Sequence, residues 1–279
     1  AEQYGTNHRE IILSGKDYIQ TMEKLIGFKD APLSVPNEVP LYLMSKELKK
    51  YITVVLSGEG ADEIFGGYGR IFRSPHDYSQ FKKIQTENYS EEDKSIFLQK
   101  FSERYDGKTF DTPLEHFYYL YTYTSEEDKQ KLLLPNISGR TNENRLKEHF
   151  SKCFEEVRNE SYYNKMMYSF ERVHLQGLLN RVDMTTMAAS VEARVPFVDH
   201  RLVEFAFTIP VKYKLKWKSE KDKFAARLLT GNEISEKYDT PKYILKKAYE
   251  PMLSDNILYR KKMGFPVPLN SWFGGKFKD

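Results

Sequence analysis

The chain has 279 residues, with 43 lysines and arginines against 40 aspartates and glutamates, so its formal charge is only +3 although 30% of the residues are charged. That near balance provides no bulk attraction for nucleic acid. A chain of this size can bury about three quarters of its unfolded surface, and a hydrophobic content of 40% with 20 Tyr and 18 Phe supplies the core. No apolar run approaches the roughly 18 residues that a membrane helix needs, and the opening AEQYGTNHRE has no basic-then-apolar secretory profile. The missing initiator Met suggests processing or a longer parent. Cys153 is alone in a polar, helical-looking stretch, which suits a structural thiol in a reducing, cytoplasmic compartment. The six histidines show none of the short paired spacings of zinc sites.

In chain order, Glu10–Leu13 reads as a short strand. Ser14 then caps a helix with Tyr18, Met22, Leu25 and Ile26 on one face. Pro32, Pro36 and Pro40 punctuate a loop before a second helix in VPLYLMSKELKKY. Ile52–Gly58 (ITVVLSG) breaks the helical period with a nearly unbroken β-branched run, the pattern of a parallel strand covered on both faces. Strand, helix, strand implies an α/β architecture. From about residue 68 to 170, Phe, Leu and Tyr recur at helical spacing in polar segments, predicting amphipathic helices whose aromatic stripes pack a core. Tyr213–Trp217 (YKLKW) alternates Lys with apolar residues and reads as a solvent-facing strand.

Three strings carry chemistry. In VVLSGEGADEIFGGY, Val54–Tyr68, a strand runs into Ser57, Gly58, Gly60 and Ala61 before a helix that begins near Asp62. Such strand-to-helix turns aim backbone N–H groups and a helix dipole at a ligand, and glycines permit close approach. Glu59, Asp62 and Glu63 crowd this turn. Acids repel phosphates unless a cation intervenes, so Mg2+ bridging carboxylate to phosphate is one reading; acids that merely complement a helix N-terminus are the other. The second string, Leu178–Phe207, sets Arg181 and Asp183 before a small-residue segment. It then sets Glu192 and Arg194 among apolar neighbours, where partial burial and a Glu192–Arg ion pair are expected, and Asp199 reads as a helix cap. The third, Leu258–Phe273, leads Arg260, Lys261 and Lys262 into a Gly-Pro loop. Either a solvated charge run or an ammonium aimed at phosphate oxygens fits.

Taken together, SGEGADEIFGGY, VEARVPFVD and RKKMGFPVP occur in an order that resembles the C-terminal synthetase domain of glutamine-hydrolysing asparagine synthetases, and the resemblance spans almost the whole chain. It implies an α/β fold: a partial adenine-nucleotide alpha-hydrolase-like parallel sheet with a large helical portion, forming one synthetase domain over residues 1–279. It also implies that ATP and aspartate form β-aspartyl-AMP and pyrophosphate, and that ammonia from an N-terminal glutaminase domain then displaces AMP to give asparagine. Under it, Ser57 and Gly58 contact ATP, and Glu59 acts in formation and aminolysis of the acyl-adenylate. Asp62 takes Mg2+ and pyrophosphate, Lys262 stabilises phosphate charge, Glu192 is a supporting acid, and Arg181 and Asp183 face substrate. The family's Ser-Gly-Gly-x-Asp-Ser loop and glutaminase nucleophile have no counterpart here, which leads to the expectation of a fragment inactive alone, with an open strand edge that favours self-association. The stretch from Lys218 to Pro241 looks like an insertion. A related ligase of the β-lactam synthetase type with another acyl donor, or a scaffold module that lost the reaction, is the alternative. No nucleic acid or membrane partner is expected.

Overall fold

Ser14 starts the first helix of the computed structural model, which describes residues 1–134, 137 and 143–275. Its side chain accepts from the backbone N–H of Asp17 while the Asp17 carboxylate takes the N–H of Ser14, closing a reciprocal cap on α1, Gly15–Lys29. After a proline-rich loop, α2 spans Glu38–Leu48. Tyr18 and Leu25 of α1 bury against Val39 and Tyr42 of α2, whereas Ile26, assigned to the same face, stays 37% exposed.

The chain forms two compact units. The first comprises residues 1–59, 176–197 and 262–279, and the second residues 60–175 and 198–261. In the first unit, β1, Val54–Leu56, pairs in parallel with β2, Glu192–Arg194, in the register Val54 to Glu192 and Leu56 to Arg194. The aromatic core between α1 and α2 also receives Val267, Leu269 and Trp272 from the C-terminal segment, with the Tyr18 and Trp272 rings 5.4 Å apart.

The second unit is mostly helical. Its principal helices are Pro75–Thr86, Glu91–Arg104, Pro113–Tyr121, Glu143–Glu156 and Tyr162–Ser169. Their aromatic stripes form two cores, one around Phe117, Phe150 and Phe170 and the other around Phe81, Phe97 and Phe101. This is the packing role expected of them. A short antiparallel pair, β3 at Leu215–Trp217 and β4 at Asp239–Pro241, is tied to it by Arg73. The Arg73 guanidinium donates to Asp239 at 2.7 Å and to the Leu215 carbonyl at 2.9 Å, and it lies over the Trp217 ring.

The mixed α/β class is as expected, but several local readings are corrected. Glu10–Leu13 is coil with Ile12 93% exposed. Its short apolar run has no strand partner among the described residues, and an unpaired strand does not persist. The strand read over Ile52–Gly58 shrinks to three residues, and it is not covered on both faces: Val54 and Leu56 are exposed. Tyr213–Trp217 is not a solvent-facing strand throughout, because Val211–Lys214 is a helical turn and both Lys214 and Leu215 are buried. Alternation of Lys with apolar residues marks a half-buried face only where the lysine has room to reach water. Cys153 is buried, and burial raises its thiol pKa, as suits an inert side chain.

Candidate active site

In the first unit the site grows from β1. Ser57 follows the strand and donates its backbone N–H to the Arg194 carbonyl at 2.8 Å, which extends the parallel ladder by one bond and fixes the start of the turn. Gly58 is exposed, and a Cβ there would meet nothing within 4 Å, so its main chain stands open to a ligand. Glu59 comes next. Its Oε1 accepts from Nη2 of Arg181 at 2.7 Å, with the two side chains 27% and 12% exposed. Arg181 sits on the helix Leu175–Met187, and its Nη1 reaches Oδ1 of Asn37 at 3.4 Å.

The other candidates in this unit are more dispersed. Asp183 lies on the same helix as Arg181, and its backbone carbonyl accepts from the Thr186 hydroxyl. Glu192 does form the expected ion pair, with Arg194 at 2.9 Å, but the side chains are 53% and 63% exposed, so the partial burial expected of them is corrected. Two residues apart on a three-residue strand, they share one face, and no third layer covers it. Lys262 is exposed on a coil that leads into the Gly-Pro loop.

In the second unit Gly60 caps α3, Ala61–Phe65, at φ 91°, a left-handed conformation that favours glycine. Asp62 in the first turn of α3 is partly exposed and pairs with Lys242 at 2.9 Å. Lys242 itself has φ 53°, unusual for a residue with a side chain. Glu63 is buried and accepts from the Tyr68 hydroxyl at 2.6 Å. Burial raises the carboxyl of Glu171, opposed by Lys214 and reinforced by the negative Glu63, while burial depresses the Lys214 ammonium. Asp199 caps the helix His200–Thr208, as expected, and its hydrogen bonds from Arg201 hold its carboxyl far below the usual range.

Gly67 is a positional requirement of the acidic turn. A Cβ on it would sit 1.7 Å from Oδ1 of Asp62 and 2.8 Å from the Asp62 Cα. Gly67→Ala should therefore destabilise the chain by about 1–3 kcal/mol in urea unfolding, and a crystal structure should show the Asp62–Lys242 pair displaced. An unperturbed pair would refute the steric argument.

Sequence reasoning identified neither Asn37 beside Arg181 in the first unit nor Lys242 beside Asp62 in the second. Asn37 occupies a helix-cap position whose side chain makes no cap hydrogen bond, and Lys242 sits in a left-handed backbone conformation; neither property is legible in the residue string.

Among the described residues no helix is long and apolar enough to cross a membrane, and no cluster of three or more His, Cys, Asp or Glu could hold a metal alone. Mg2+ commonly takes one or two carboxylates and completes its shell with nucleotide phosphates and water. The partly exposed Asp62 fits that mode, whereas an all-protein cage does not fit.

The asparagine synthase family profile matches residues 1–279. Asparagine synthetase (glutamine-hydrolyzing) 1 of Bacillus subtilis is 33% identical over all of this chain and 41% of its own length. Asparagine synthetase (glutamine-hydrolyzing) 3 of the same organism is 29% identical over 95% of the chain and 34% of its own length. A putative asparagine synthetase (glutamine-hydrolyzing) of Mycobacterium tuberculosis is 28% identical over 98% and 38%. The chain thus spans 34% to 41% of the length of these relatives, and a match along its whole length places it in the asparagine synthase family.

Proposed function

We propose that this chain is the ATP-using synthetase domain of a glutamine-dependent asparagine synthetase. The observation that carries the reading is the turn after β1, where the open main chain of Gly58 precedes Glu59, held by Arg181. Aspartate is the proposed acyl donor. Its β-carboxylate oxygen attacks the α-phosphorus of ATP, the bond to the β,γ-phosphates breaks, and pyrophosphate leaves. The nitrogen of ammonia then attacks the acyl carbon, and AMP departs with the electron pair of the acyl–oxygen bond.

This chain's residues divide the work. The main chain of Ser57 and Gly58 cradles the nucleotide, and Glu59 receives the proton that the attacking nitrogen loses. Asp62 is the proposed carboxylate toward magnesium and pyrophosphate, with Mg2+ screening phosphate charge when bound. Lys262 stabilises the charge that develops on the phosphates. Asp183 is the proposed substrate contact on its helix, and Glu192 is a supporting acid. The relatives are more than twice as long as this chain, which supports an N-terminal glutaminase domain in the whole protein as the source of ammonia. A reducing, cytoplasmic setting suits the buried free Cys153.

The test is turnover of the complete gene product with ATP, aspartate and either glutamine or ammonium. Asparagine, AMP and pyrophosphate should form in equal amounts, and Glu59→Ala should lower the rate by about 100-fold or more. Unchanged synthesis in that variant would remove Glu59 from the chemistry. AMP formation with a different acid, and none with aspartate, would overturn the acyl donor.

A further inference from the structure

The Glu59 carboxylate is held by one oxygen. Oε1 takes the hydrogen bond from Arg181, and no hydrogen bond to Oε2 occurs among the described residues. A guanidinium often grips a carboxylate with two parallel bonds. Here a single bond leaves the second oxygen open on a side chain that is still 27% exposed.

Arg181 is placed for that one task. Its side chain is 12% exposed, its Nη1 goes to Asn37, and its buried Nε has no partner among the described residues. Burying a guanidinium is costly, and an arginine kept for stability would have its donors satisfied. This one instead joins three elements of the first unit that lie far apart in the chain: the loop before α2, the turn after β1, and the helix Leu175–Met187.

From this geometry we infer that Arg181 is a positioning residue for Glu59 in the amide-forming step, itself oriented by Asn37. The inference rests on the amide-forming reading of the site. As the nitrogen lone pair makes the C–N bond and AMP leaves, one N–H proton passes to Oε2 of Glu59. Arg181 exchanges no proton and touches no reacting atom. It fixes Oε1, which sets the direction of Oε2 and removes the rotamer freedom a glutamate would otherwise keep. This separates Arg181 from the substrate-binding role that the family resemblance implies.

The experiment is a mutant cycle in the complete gene product, assayed with ATP, aspartate and ammonium chloride. Arg181→Met should lower kcat by about 100-fold, the loss expected for a misplaced catalytic group, with less than about 3-fold change in KM for aspartate. Arg181→Lys should recover about 10-fold of that, because an ammonium restores one hydrogen bond. Asn37→Ala should cost about 3-fold in kcat. In a Glu59→Gln background, Arg181→Met should cost no more than about 3-fold further, since two residues that act as one are not additive.

An aspartate KM raised by about 10-fold or more with kcat unchanged would make Arg181 a substrate ligand and overturn the inference. Full additivity with Glu59→Gln would do the same. A wild-type protein that makes no asparagine fails at the first control and removes the reaction itself, an outcome distinct from these two. Should Arg181→Met not fold, the Arg181→Lys and Asn37→Ala variants carry the same kcat-against-KM comparison.

Discussion

Asp77→Ala should cost about 1–3 kcal/mol of stability in acid for each buried donor it strands, and the loss should shrink as the pH approaches neutrality. Asp77 is wholly buried. Its carboxylate faces Arg104 at 3.1 Å, the Tyr105 hydroxyl at 2.7 Å and the Gly231 N–H at 2.7 Å, all within the second unit. Alanine strands those three donors away from water. Burial is the largest influence on the carboxyl and pushes it up from 3.8 to about 6, against the pull of Arg104 and the two hydrogen bonds. A raised native pKa means that, between these two values, the native chain holds a proton that the unfolded chain has released. The stabilisation is therefore complete below 3.8 and is lost as the pH rises through about 6.

Alanine binds no proton, so the wild-type advantage should narrow by up to about 1.4 kcal/mol for each pH unit crossed in that window. Neighbouring groups titrate in both proteins and largely drop out of the difference. Among them are His116, which burial depresses to about 3, and Glu233, whose negative charge raises the Asp77 carboxyl a little further. Urea unfolding at pH 4.5 and 7, with hydrogen exchange in the helix Glu91–Arg104, measures it. A difference that widens toward pH 7 would show that the Arg104 ion pair outweighs desolvation.

None of this network was legible in the sequence. Asp77, Arg104 and Gly231 are separated by up to 154 positions, and an aspartate in the first turn of a helix reads as an N-terminal charge on the surface. The aromatic spacing was different. Phe97, Phe101 and Tyr105 recur every four residues and face inward together, so local period alone identified a core helix. The caps at Ser14 and Asp199 were equally plain, because capping is chemistry within three residues.

The site was legible where its signals were local and obscure where they were not. Glycines beside carboxylates after a β-branched run marked the turn at Ser57–Asp62. They could not say that Glu59 would find Arg181 at a separation of 122 residues, nor that Asp62 would face Lys242. Apolar flanks led to the expectation of buried charge at Glu192 and Arg194, yet β2 is a sheet-edge strand with an open face and the pair meets solvent. Flanking residues report burial only when a second layer lies over the strand.

Lys29→Met should loosen the first unit by about 3–5 kcal/mol. Lys29 ends α1 and pairs with Glu38 at the start of α2, and their side chains are 5% and 0% exposed. The other Glu38 oxygen accepts from the N–H groups of Ser34 at 2.7 Å and Val35 at 3.3 Å. One carboxylate thus fastens a helix end, the proline-rich loop and the next helix. Methionine keeps the aliphatic stem but leaves Glu38 buried beside no cation, which is worse than removing both charges. Adding Glu38→Gln should then recover most of the loss. Hydrogen exchange should show the deficit in Gly15–Lys29 and Glu38–Leu48, sparing the helices of the second unit. The effect should also reach the chemistry, because Asn37 precedes Glu38 in the chain and orients Arg181. At a temperature where the variant stays folded, kcat should fall about as far as in Asn37→Ala, with aspartate KM little changed. Full protection in Lys29→Met would instead mean that the loop is held by its prolines and by the Tyr18 hydroxyl on the Pro36 carbonyl, with the ion pair contributing nothing net.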